Sequence, residues 1–291
     1  MTSQPTPSST SEELNPNLLQ LLGPNWSFGK SRKTRPPFRT ADLTEPIIRL
    51  HLIVYPNKTN TSRLFPSKPA CNHWLFLLDI AESRAVRFHI DAPSSNLELV
   101  GTPQMHTHLD RTGSLELRSL EPERITRLRA KLAHALVFEV SDDPRPTVAD
   151  VVSMLLYNGR QFFTLSERCE GCRHWCATVI DDMVKERWLE PAALAAAETA
   201  MRFYYPFPDP NLTEPRPVAR GEFALPAHPR HVWGRGWYTN ALMDIVRDEV
   251  SQKARAALQE EEVSEEATVV AKTEEGNKVT VVTVKEEEGR L

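Results

Sequence analysis

The sequence predicts an α+β fold, a mainly antiparallel sheet packed against about three helices, within a chain of 291 residues. Three observations predict it. Short apolar runs alternate with polar positions between residues 47 and 140, the period-two pattern of half-buried strands. Two of those runs are separated by only four residues, as in an antiparallel hairpin. After residue 147 the apolar spacing changes to three and four, the period of helices that lay one stripe against a core.

The first 44 residues are rich in Ser, Thr and Pro and carry a basic patch at Lys30, Arg32, Lys33 and Arg35. Such a composition buries too little apolar surface to offset the entropy of ordering, so a disordered arm is expected over 1–44. Within it, Leu18-Leu19-Gln20-Leu21-Leu22 could dock as one helical turn. Order starts at Ile47, where Ile48, Leu50, Leu52 and Val54 alternate up to the breaker Tyr55-Pro56. The run 73–80 is apolar on both faces, and 85–91 alternates Val86, Phe88 and Ile90 with Arg87, His89 and Asp91. Two further strands are expected at 113–119 and 135–140, with a charged helix over 121–134 between them.

Thr147 with Asp150 three positions on forms a capping-box start, Val151, Val152, Leu155 and Leu156 make the apolar face, and Gly159 ends the helix. A second helix starts at Gly171 or Cys172, its stripe being Cys172, Trp175, Cys176, Val179, Met183 and Val184. A third, opened by Pro191, runs through the alanines to about Arg202. The text then turns to Pro-Phe-Pro-Asp-Pro. The expected division is an arm over 1–44, an α+β core domain over 45–205, a Pro-rich linker over 206–238, and a helix with an acidic low-complexity tail over 239–291. In that tail a Val/Thr-rich segment, 268–284, could pair as a hairpin. A lone hairpin is marginal in water, so it is a place for a protein partner.

Composition narrows the function. No apolar run approaches the ~20 residues that cross a bilayer, and the first 18 residues lack the basic start and apolar stretch of a secretory signal, so no membrane span and a cytoplasmic or nuclear location are expected. Cysteines at 71, 169, 172 and 176 are too few and too uneven for a disulfide framework and are read as thiols. The last 41 residues hold ten Glu against six Lys or Arg, which accounts for the whole formal charge of −4 and leaves the rest neutral. A neutral domain lacks the basic footprint of nucleic-acid recognition, so no nucleic acid is expected as a partner.

The chemistry-bearing candidates are few. Cys172 sits where a loop becomes a helix, whose free N–H groups and dipole favour a thiolate. It also lies on the apolar stripe, where free cysteine serves as packing. His174, two positions along, is turned about 200° from Cys172 and should be a solvated residue. His73, opening an apolar strand, is the candidate base; its structural alternative is a histidine satisfied by a backbone carbonyl at the sheet edge. His89 and Asp91 would orient His73 if the hairpin register sets them on its face; otherwise they share a wet face with Arg87. Cys169, Cys172 and Cys176 with Cys71 or His73 could supply four soft ligands to zinc. The Cys71-Asn72-His73 pair is an uncommon ligand spacing, and neither metal nor cofactor is expected.

Asn72-His73-Trp74 opening a strand, Val86-Arg87-Phe88 on the next, the Thr147 helix, and Gly171-Cys172-Arg173-His174-Trp175 opening another helix resemble a domain family of unknown function from filamentous fungi, over roughly 45–205. His174 stands where that family is expected to carry Tyr or Phe. More distantly, an early His on a strand, a polar residue on the next and Cys at a helix start resemble the circularly permuted papain-like group, which includes lecithin retinol acyltransferase-like enzymes and permuted peptidases. That resemblance implies Cys172 as nucleophile, His73 as base and His89 or Asp91 as orienter, although Gly171 replaces the Asn usual before the nucleophile. The implied activity is a cysteine hydrolase or acyltransferase acting on an amide, ester or thioester. The alternatives are a non-catalytic adaptor or accessory protein and a structural zinc domain. The thiol reading requires that His73 and Cys172 face each other where the sheet meets the helix.

Overall fold

The computed structural model describes residues 15–23, 26–27, 38–56, 72–81, 83–91, 114–166, 171–206, 213–223 and 234–270. The chain divides into a unit over 1–246, whose fold follows, and a second over 247–291. The α+β class holds. β2 (Arg49–Pro56), β3 (Asn72–Ala81), β4 (Arg84–Asp91), β5 (Ser114–Leu120) and β6 (His134–Glu139) form an antiparallel sheet in the order β5-β4-β3-β2-β6, with β1 (Trp26–Ser27) parallel to β5 at the edge. The hairpin expected between β3 and β4 is present, with Phe76 opposite Phe88 and Leu77 opposite Arg87.

β3 reads as apolar on both faces because both faces are covered. Trp74, Phe76, Leu78 and Ile80 enter the main core under α3 (Val148–Tyr157), α4 (Cys172–Lys185) and α5 (Pro191–Met201). Leu75 and Leu77 join Ile53, Ala85 and Leu120 in a smaller cluster closed by Ile125 and Leu128 of α2 (Pro122–Arg129). This helix ends sooner than expected, and the Ala133 N–H donates to the Val54 carbonyl at 2.9 Å as the chain enters β6. The Thr147 capping box forms as expected: the Thr147 N–H donates to the Asp150 carboxylate at 2.9 Å and the Asp150 N–H to the Thr147 hydroxyl at 3.2 Å.

Packing runs past both expected boundaries. Leu18 and Leu22 of α1 (Pro16–Leu22), then Trp26, Phe38 and Leu43, are buried in the main core. Asp42, fully buried, accepts from Ser119 Oγ at 2.5 Å and Arg84 Nη1 at 2.9 Å and so fastens this segment to the sheet. On the other side, β9 (Glu214–Pro215) pairs with β8 (Phe203–Tyr204), β10 (Glu222–Phe223) pairs with β7 (Phe163–Thr164), and α6 (Arg235–Val270) buries Leu242, Ile245 and Val246. Composition hid this because the anchoring residues are few and scattered among Ser and Pro, while burial needs only one apolar face every few residues. The segments 1–14 and 271–291, with most of the Val/Thr-rich run, lie outside the described residues. No described helix is long and apolar enough to cross a membrane.

Candidate functional site

Strand parity decides which of the candidates meet. Side chains alternate along β3, so Asn72, with Trp74, faces the helices, and His73, with Leu75, faces the other way. Asn72 fixes that end of the strand: its amide donates to the Tyr205 carbonyl at 2.9 Å and accepts from the Tyr205 N–H at 2.8 Å. The β3/β4 and β4/β5 registers then set Arg87, His89 and Asp91 on the His73 face, together with Glu116 and Arg118 of β5. The side chain of Asp91 lies outside the described ones.

His73 Nε2 lies 2.9 Å from His89 Nδ1, the rings meeting edge to face. Behind them, His89 Nε2 is 3.7 Å from Glu116 Oε1, and Glu116 also faces Arg118 Nη2 at 3.4 Å and the Arg87 guanidinium. His73 and Glu116 are half-buried, whereas His89 between them and Arg118 are buried. Burial raises the Glu116 pKa, but the contact with His89 and the charges of Arg87 and Arg118 outweigh it and hold the carboxyl well below the usual range. The His73 pKa is also lowered, well below the ordinary value, by burial first and then by the charges of His89 and Arg87. The proton positions follow. An ionised Glu116 only accepts, and at 3.7 Å its charge favours the proton on His89 Nε2. With His89 neutral, its Nδ1 is then the acceptor, His73 Nε2 the donor, and His73 Nδ1 keeps a lone pair.

Cys172 is on the opposite side. It opens α4, is half-buried against the main core, and its Sγ lies 3.9 Å from the Asn72 carbonyl. The charges that act on His73 come from His89, Arg87 and Glu116. The sheet therefore separates the base from the thiol, and the facing arrangement required by the thiol reading is not assembled. Cys176, one turn on, is fully buried, and burial pushes its pKa well up, as expected of packing. Cys71 and Cys169 lie outside the described residues, and among the described residues no group of three or more His, Cys, Asp or Glu is arranged to hold a metal.

The model of a domain family of unknown function, DUF7770, matches residues 50–224. The chain belongs to the DUF7770 family. No curated protein and no solved structure matches it. The match contains every residue of the His73 chain and the segment 213–223 that packs beyond the expected boundary.

Within the DUF7770 domain, the Gly171–Trp175 element is used for packing residue by residue. Gly171, at φ 144°, lies where a Cβ would meet the Phe163 ring at 3.1 Å. Arg173 is buried and donates to the carbonyls of Met201 (2.8 Å), Arg216 (3.3 Å) and Pro217 (2.7 Å), tying α4 to α5 and the Pro-rich segment. His174 is not solvated: its ring sits against Phe163 and Phe223, and burial lowers its pKa despite a bond to the Gly221 backbone. Trp175, fully buried, reaches Phe76 and Phe88 and donates to the Arg160 carbonyl at 2.9 Å. Sequence reasoning passed over Glu116 and Arg118, although Ser-Leu-Glu-Leu-Arg alternates charged with apolar positions and so marks a polar strand face. It also passed over His51, whose Nε2 is 2.7 Å from the Asp79 carboxylate on the same sheet face.

Proposed function

We propose that the domain acts through a proton-accepting site headed by His73 on the sheet face away from α4, and that it hydrolyses an ester, amide or thioester with water as nucleophile. What supports this reading is one observation, the chain His73–His89–Glu116, in which His89 stands 2.9 Å behind His73 and Glu116 3.7 Å behind His89; an ionised carboxylate there favours the tautomers that leave a lone pair on His73 Nδ1. His73 Nδ1 takes a proton from water as the water oxygen bonds to the carbonyl carbon. The charge of Glu116 favours the imidazolium that forms, and the proton passes to the leaving group as its bond to carbon breaks. Tyr55 stands opposite His73 in the β2/β3 register, and burial raises its pKa, so it remains a protonated donor for the developing oxyanion. His73 and His89 keep the roles of base and orienter; Cys172 has none. A permuted papain-like ancestry is compatible with the order of elements, but the chemistry does not draw on its thiol.

The second reading is a non-catalytic accessory protein, favoured by the complete use of the Gly171–Trp175 element in packing. Activated esters separate the two. Hydrolysis that survives Cys172→Ser and falls by roughly a hundredfold in His73→Ala supports the base. Hydrolysis lost in Cys172→Ser and kept in His73→Ala would restore the thiol, and no turnover by a wild type whose His73 binds ligand would favour the accessory protein.

A further inference from the structure

Among the described residues, the outer edge of β6 has no strand beside it. β6 ends the sheet, β2 is its hydrogen-bonded strand, and among the described residues no backbone bond leaves 134–139 on the far side. Exposed edges are normally blunted by Lys, Pro or a bulge. His-Ala-Leu-Val-Phe-Glu has neither Lys nor Pro, and it pairs with β2 over all six residues without a register shift. Ala135, Val137 and Glu139 are exposed, Val137 to 53%. Charge is divided along the segment. Arg127, Arg129 and Lys131 precede the strand, Glu139 ends it and Asp142 and Asp143 follow, all of them exposed; Arg127 pairs with Glu123, Arg129 with Asp79 and Asp142 with Arg145 within the chain, so Lys131 and Glu139 are the charges that bear most on a second copy. A strand with a basic entrance and an acidic exit complements a copy of itself only when the copy is turned end for end, because antiparallel pairing sets each basic end against the other's acidic end.

We infer that β6 is a self-association edge: two copies of this chain join β6 to β6 antiparallel about a two-fold axis, continuing the sheet across the interface. An axis normal to the sheet requires one residue to lie opposite its own copy. With Leu136 on the axis, Val137 meets Ala135 of the second copy, His134 meets its Phe138, and Glu139 stands diagonal to its Lys131. One short strand pair buries well under the ~1,600 Å² of a standard interface, so the dimer is weak and concentration-dependent.

Sedimentation of the full chain from micromolar to millimolar concentration tests this. A reversible monomer–dimer equilibrium is expected. Val137→Lys, which puts a charge on the edge, should remain monomeric with an unchanged circular dichroism spectrum. Glu139→Lys should raise the dimer Kd by roughly tenfold, and adding Lys131→Glu to it should restore the wild-type value. A wild type that stays monomeric at every concentration, a dimer untouched by Val137→Lys, or a double variant no better than Glu139→Lys overturns the inference.

Discussion

His73 and His89 are joined at 2.9 Å on one face of the sheet, while Cys172, one residue away from His73 through the Asn72 carbonyl, lies on the other. The strand backbone between them is a wall, because neighbouring side chains on a strand point to opposite faces.

His73 makes stability depend on pH. In the folded domain His73 has its pKa lowered, chiefly by burial, whereas in the unfolded chain it titrates near the ordinary value of about 6.5. Below that value the unfolded state binds more protons, so stability is full above it and is lost as pH falls toward the folded value. His134 and His174 are shifted in the same direction. Urea midpoints should therefore drop between pH 7.5 and 5.5, and His73→Asn should flatten the slope. A slope unchanged by that variant contradicts the assignment.

Glu116→Gln removes the carboxylate that faces two arginines and His89. Losing the ion pairing to the buried Arg118 and half-buried Arg87 guanidinium groups should destabilise by about 3 kcal/mol. Nitrogen chemical shifts should also report a redistribution of the His89 tautomer. Unchanged shifts in both histidines would mean that Glu116 does not set the relay.

Arg173→Ala should cost about 2–4 kcal/mol, because three carbonyls lose a charged donor. Arg173→Lys should recover little, since an ammonium lacks the planar fork. Cys172→Ser should stay within about 1 kcal/mol of wild type. Chemical denaturation of the three variants checks the order.

Trimming tests where the domain ends. A chain cut to 45–205 loses Leu18, Leu22, Trp26 and Phe38 from the core and the Arg216 and Pro217 carbonyls from Arg173. It should aggregate or bind a hydrophobic dye, whereas 15–246 should give a cooperative thermal transition. A cooperative transition in the shorter chain would make the flanking segments dispensable.

The sequence by itself determined the element types of this DUF7770 domain, because strand and helix periods are local. Alternation in 85–91, the Thr147 capping box and the three-and-four stripe of α4 each need only neighbouring residues to be read. It also put His89 and Asp91 on one face of a strand. What only the tertiary structure decided was which faces meet. The register between β3 and β4 sets His89 beside His73, and β5 adds Glu116, whose polar strand face is legible locally but whose partners are not. The side on which α4 packs separated Cys172 from His73, although their order along the chain had suggested a pair. Periodicity tells a residue that it has a face; pairing across strands and the covering of each face by helices, which are long-range and set by total burial, tell it what that face will touch.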